Sequence, residues 1–206
     1  MKRIIIMAVM ASMLACGEPD VTPSEGSRTG FALSFFRNVN ALTSPQENIV
    51  VSPYSAGTVL EMLEYGAQGE TKVELDNALN GATFAKDELD GGKNIVLESS
   101  NAVWISDNFS VRNRYVSHLE NYFGAFIDTQ NFSSPSAVRV INDWCAEQTS
   151  GKITDIIDRI TPDMVMVLVN ALYFNAPWAE AFDPDATGES VFHGSDGDSN
   201  VPMMTR

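Results

Sequence analysis

The sequence predicts an α+β fold, and three observations carry that prediction. Helix-period segments gather early in the chain. The strand-like runs that follow are separated by helices and are not joined in regular βαβ units. One long run, VLVNALYFNAPW from Val167 to Trp178, is apolar on both alternating faces, as a strand covered on both sides must be. An amide, Asn170, stands in the middle of that run. An unpaired buried amide costs about 1–3 kcal/mol, so a buried strand here demands a partner for Asn170.

The elements follow in order. Phe31, Phe35, Val39 and Leu42 recur at spacings of three and four, with Leu33 and Phe36 broadening the face, which predicts a first amphipathic helix. NIVVSPYSAGTVLEMLEYGAQGET joins a short β-branched run, Ile49 to Val51, to a second helix. Ser52 suits its N-cap and Pro53 its first turn, where a missing N–H is no loss. Val59, Leu60, Leu63 and Ala67 form the expected buried stripe, and Ala56 and Gly57 permit close packing. Thr71 and Glu74 have capping-box spacing for a third helix that carries Leu75 and Leu79 and ends at Gly81.

SNAVWIS, Ser100 to Ser106, alternates as a strand, with Ala102, Trp104 and Ser106 opposite Val103 and Ile105. Val111 to Phe123 reads as a helix and Gly124 to Phe132 as an extended run. Ser134 and Pro135 open a helix with Val138, Ile141, Trp144 and Cys145 on one side, stopping near Gly151. The long strand comes next, and the Asp/Gly/Pro-rich tail holds two strand-like pieces, Ser190 to His193 and VPMM at Val201 to Met204.

At 206 residues, with 44% hydrophobic residues, the chain is long enough for one or two globular domains. Its 13 basic and 27 acidic residues give a net charge of −14, which argues against nucleic acid as a partner, since phosphate binding needs clustered Lys and Arg. A solvated acidic surface is the simplest use of that charge.

The opening MKRIIIMAVMASMLAC has Lys2 and Arg3 before an apolar run, Ile4 to Leu14, too short to span a bilayer; it reads as an export signal. Cys16 directly after Ala15 resembles a bacterial lipobox, with Met13 where Leu is usual. The expected organisation is a lipoprotein-type signal peptide over 1–16, a flexible Pro/Gly/Ser-rich tether over 17–30 and a folded domain over 31–206. Lipid on Cys16 would anchor the chain to a membrane, at the outer membrane or cell surface; without it the chain would be periplasmic or extracellular. Cys145 would then have no disulfide partner and reads as a small buried hydrophobe.

Chemistry is sparse. The two histidines, His118 and His193, sit in no catalytic or metal-ligand spacing, and no nucleophile elbow, P-loop or dinucleotide fingerprint is present. SDGDSN, Ser195 to Asn200, lacks the spacing and terminal Glu of a calcium loop and reads as a solvated turn. Asn108 and Asn131 begin N-x-[ST] matches that are expected by chance in a bacterial lipoprotein. No cofactor or metal is expected, and no enzyme activity.

Taken in order, these segments resemble the serpin family. The resemblance lies in NIVVSPYSAGTVLEMLEYGAQGET with its Ser-Pro-x-Ser and Gly-Ala-x-Gly-Glu-Thr, in SNAVWIS, in Tyr122 to Ala125, in INDWCAEQTSGKI, in VLVNALYFNAPW, and in FDP, TGESVFH and VPMM. It implies the serpin fold, here the N-terminal region of helices A–F with part of sheet A; the C-terminal half with the reactive-centre loop is absent. It implies inhibition of serine, possibly cysteine, proteases as a suicide substrate, by loop insertion into sheet A; the alternative is a non-inhibitory surface binding protein or an inactive fragment. By the same resemblance Ser52, Ser55 and Asn170 match the family's shutter, a polar cluster beneath sheet A that also draws on a histidine outside this chain. Trp178 matches the breach, where a loop first enters. Ser52 and Ser55 are thereby the expected partners of Asn170. The reactive-centre bond is expected outside this chain.

Overall fold

The structure, a computed structural model, describes residues 3–6, 27–45, 47–84, 94–194 and 197–205. Its strands are β1 (Arg3–Ile6), β2 (Val96–Ser106), β3 (Phe126–Gln130), β4 (Met164–Asn175), β5 (Gly188–Gly194) and β6 (Gly197–Met203). The helices are α1 (Arg28–Leu42), α2 (Pro53–Gly66), α3 (Glu70–Leu79), α4 (Asn113–Phe123) and α5 (Ser136–Gln148). The α+β expectation is met. A four-stranded sheet runs in the order β1-β4-β2-β3, and β5 with β6 forms a separate hairpin.

β4 is the apolar strand anticipated from its sequence but displaced from the expected Val167 to Trp178: it spans Met164–Asn175, buried from Met164 through Ala171, while Phe174 and Trp178 are exposed. Side chains alternate across a strand, so one half of them enters each layer. Val103 and Ile105 of β2 join Met166 and Leu168 of β4 against α2 and α4, with Val59, Met62 and Leu119. On the other face Ala102, Trp104, Val167 and Val169 pack with Ala137, Ile141 and Cys145 of α5. β2 is antiparallel to β4, with Val103 opposite Leu168 and Asn101 opposite Asn170, while β3 is parallel to β2. β1 runs parallel to β4 from Ile4 opposite Met166 to Ile6 opposite Leu168.

α1 starts at Arg28 because Ser27 caps it, its side chain accepting from the Gly30 N–H at 3.2 Å. Phe31, Phe35 and Val39 are buried with Leu79 and Phe84, whereas Leu33, Phe36 and Leu42 point outward. Ser52 is the N-cap of α2, as its sequence indicates, accepting the Ser55 N–H at 3.1 Å, with Pro53 in the first turn. Ala56 and Gly57 admit a close neighbour: a Cβ on Gly57 would lie 2.3 Å from the Phe84 ring. Leu60 and Leu63 are only half-buried beside the core, and Ala67 lies beyond the helix as its C-cap.

Three local expectations are corrected. Ile49 to Val51 is not a strand; among the described residues no neighbouring strand pairs with it, and Val50 is 95% exposed. Thr71 is not a cap: α3 begins at Glu70 with Gly69 as N-cap and no side-chain capping bond. The third concerns the SDGDSN turn, since Gly197 to Asn200 lie on β6, paired with β5.

Candidate functional site

β2 and β4 are apolar partners along most of their length, and the exception is a polar seam where burial ends. Asn170 is 5% exposed, whereas Leu172 and Tyr173 are half-buried and Phe174 and Asn175 are exposed. Both Nδ2 hydrogens of Asn170 are used: one donates to Ser99 Oγ and one to Asn101 Oδ1, each at 2.8 Å. Asn101 passes the chain on, its own Nδ2 donating to the carbonyl of Phe123 at 2.8 Å. That residue closes α4, where Gly124 takes the left-handed conformation that ends the helix. The seam therefore ties β4 to β2 and β2 to the end of α4. Asn170 Oδ1 is buried without a hydrogen-bond partner among the described residues.

The expected pairing of Asn170 with Ser52 and Ser55 is not formed. Those serines bond each other, Oγ to Oγ at 2.8 Å, while Ser52 caps α2. A cap is already satisfied within its own turn, so it has little to gain from an amide on another element. Ser99 and Asn101 were not singled out from the sequence. Their signal is parity: they share the face of Val103 and Ile105, so they are polar residues on an apolar side of a strand. Only the register, Asn101 opposite Asn170, turns that oddity into a site.

Trp178 lies just past β4 and is 70% exposed, edge-on to the Phe182 ring at 5.4 Å between centroids. Cys16 lies outside the described residues. Cys145 is fully buried against the sheet, and burial pushes its thiol up to about 12. The Trp104 indole N–H is buried without an acceptor among the described residues, its ring edge-on to Trp144 at 5.3 Å.

α2 carries a buried carboxylate that sequence reasoning missed: Glu61, 8% exposed, accepts the Phe84 N–H at 2.6 Å. A charge-assisted bond of this kind offsets the desolvation of the carboxylate and fixes the turn that brings Phe84 onto Gly57. Of the histidines, His193 bonds Asp198 at 2.7 Å on the exposed hairpin, and His118 stacks with Tyr65 and with Tyr122. A cavity of about 560 Å³ opens where α2 meets the start of α4, between Leu63, Phe109, Arg112 and Tyr115. Among the described residues no group of three His, Cys, Asp or Glu side chains is placed to hold a metal ion. No helix among them is long and apolar enough to cross a membrane.

A helix-covered mixed sheet whose central strands are joined by a side-chain seam defines the class: an α+β protein. The comparisons agree along the chain. The family profile described as Serpin (serine protease inhibitor) matches residues 26–206. Serpin A3-6 of Bos taurus is 29% identical over 98% of this chain and 55% of its own length. An uncharacterized serpin-like protein of Thermococcus kodakarensis is 33% identical over 79% of this chain and 42% of its own. Among solved structures, Arabidopsis AtSerpin1 in a native stressed conformation has a TM-score of 0.77 at 26% identity, covering 87% of this chain and 50% of that one. Thyroxine-binding globulin complexed with a thyroxine–fluorescein compound has 0.75 at 28% identity, covering 86% and 57%. The chain belongs to the serpin family. It spans about half the length of the relatives it matches.

Proposed function

We propose that this chain is the N-terminal part of an exported inhibitor of serine proteases that acts as a consumed substrate. The observation that carries this reading is the seam: strands locked by interdigitated aliphatic side chains part only by breaking a packed core, whereas Asn170, Asn101 and Ser99 can exchange hydrogen bonds as strands separate. The family match over residues 26–206 supports it. Asn170 is the shutter residue, and Ser52 and Ser55 hold the start of α2. Asn170 Oδ1, buried without a partner among the described residues, is open to a donor from elsewhere in the whole protein. Trp178 marks the breach. The bait bond lies on a loop beyond this chain, and Cys16 carries the lipid that tethers the domain to the membrane.

A 1:1 complex between the protein and a trypsin-, chymotrypsin- or subtilisin-type protease that survives heating in detergent is the expected result. Cleavage of the protein with the protease left free would sink the inhibitor reading. Labelled fatty acid incorporated by the exported chain and lost in Cys16→Ser tests the anchor separately.

The second reading is a binding protein without inhibition, favoured by the likeness to thyroxine-binding globulin, a relative solved with a small ligand. It is the reading left standing if no protease is trapped.

A further inference from the structure

α2 and α4 meet through rings. Tyr65, at the end of α2, stacks on His118 of α4 with centroids 3.3 Å apart and planes 8° from parallel. Tyr122 also stacks with the imidazole, at 4.9 Å, and Phe123 meets it edge-on at 5.7 Å. Tyr115 lies against Tyr65, and its hydroxyl donates to the Met62 carbonyl of α2 at 3.0 Å. The imidazole is thus a layer in the α2–α4 joint. Phe123, which touches that imidazole, also supplies the carbonyl that holds Asn101 in the seam.

We infer that this stack is an acid-sensitive joint: a proton on His118 loosens α4 from α2 and, through Phe123 and Asn101, weakens the hydrogen bond that joins β2 to β4. The inference does not depend on protease trapping and stands or falls apart from it.

The charges around the ring set the sign. Among the described residues the titratable side chains stacked with His118 are the phenols of Tyr65 and Tyr122. Arg114, four residues earlier on the same helix face, adds a positive charge. A cation stacked on tyrosine rings gains some attraction from their π electrons. Against it stand the loss of water and the repulsion of Arg114, and these two, in that order, lower the His118 pKa from 6.5. The joint therefore favours the neutral ring. As pH falls through 6.5 the unfolded chain takes up a proton that the folded chain resists, and stability is lost over that range. Asn101 and Asn170 carry no charge, so the seam responds only by displacement of the Phe123 carbonyl.

The experiment is an NMR pH titration of the protein carrying His193→Asn, which leaves one imidazole. The expected His118 midpoint lies below 6.5, and the Asn101 side-chain amide shifts with the same midpoint. In His118→Phe, where a ring stays in the stack, the Asn101 amide stays still and the loss of urea resistance between about pH 7 and pH 5 disappears. A midpoint at or above 6.5 overturns the inference. So does an Asn101 amide that does not move with His118, or an acid response that persists in His118→Phe.

Discussion

Asn101 and Asn170 face each other across β2 and β4, the Nδ2 of Asn170 donating to the Oδ1 of Asn101 at 2.8 Å. The pair sits one residue beyond Ala102 and Val169, which are fully buried on the opposite face, so polar pairing takes over where aliphatic packing ends. The two strands are held there by bonds that can be exchanged.

Asn170→Ala removes two donors and strands Ser99 Oγ and Asn101 Oδ1. A loss of about 1–3 kcal/mol in urea unfolding is expected. Asn170→Asp is expected to lose more at neutral pH, since it sets a carboxylate against an acceptor, and to recover toward the Asn170→Ala value in acid as that carboxyl takes a proton. Equal losses at both pH values would contradict the donor assignment.

Gly57 is required by Phe84. A Cβ there meets the ring at 2.3 Å, and the ring is 2% exposed and edge-on to Phe31 at 5.3 Å, so it has little room to retreat. Gly57→Ala should destabilise by about 1–3 kcal/mol. Adding Phe84→Leu should return part of that loss in a double-mutant cycle, and strict additivity would argue against the contact.

Ser52→Ala removes the acceptor for the Ser55 N–H and the hydroxyl partner of Ser55. About 1 kcal/mol is expected, the usual worth of an N-cap, with Ser52→Thr close to wild type. Thermal unfolding followed by circular dichroism distinguishes the two variants.

Cys145 should resist thiol reagents in the folded protein at about pH 8, because burial favours the neutral thiol, and become labelled at the rate of unfolding. Its folded pKa, about 12, lies above the ordinary 9.0. Its contribution is therefore intact below 9 and declines as pH rises from there toward 12, as the unfolded thiol ionises first. Cys145→Ala should remove that part of the alkaline loss.

Much of the fold was legible in the chain. The two-sided burial of β4 follows from its long apolar run, interrupted only by Asn170 within its buried part, and the alternation of Ala102, Val103, Trp104 and Ile105 assigned each side chain to its layer. The cap of α2 follows from Ser52 and Pro53 being where backbone groups lack partners. The amide in β4 announced by itself that a partner must exist, since desolvation cost is a local property of the residue.

Which partner it takes was a tertiary decision. Ser52 and Ser55 were the candidates in hand, but a serine capping its own helix is satisfied within a single turn, and the amide turned to Ser99 and Asn101. That choice depends on strand register, and register is set by how two whole strands pair, which no short window of sequence contains. The same holds for His118, an unremarkable histidine in a helix until α2 brings Tyr65 onto its ring. Periodicity marked most of the core, though Leu33, Phe36 and Leu42 of its first helix face outward; packing alone decided what each buried polar group would meet.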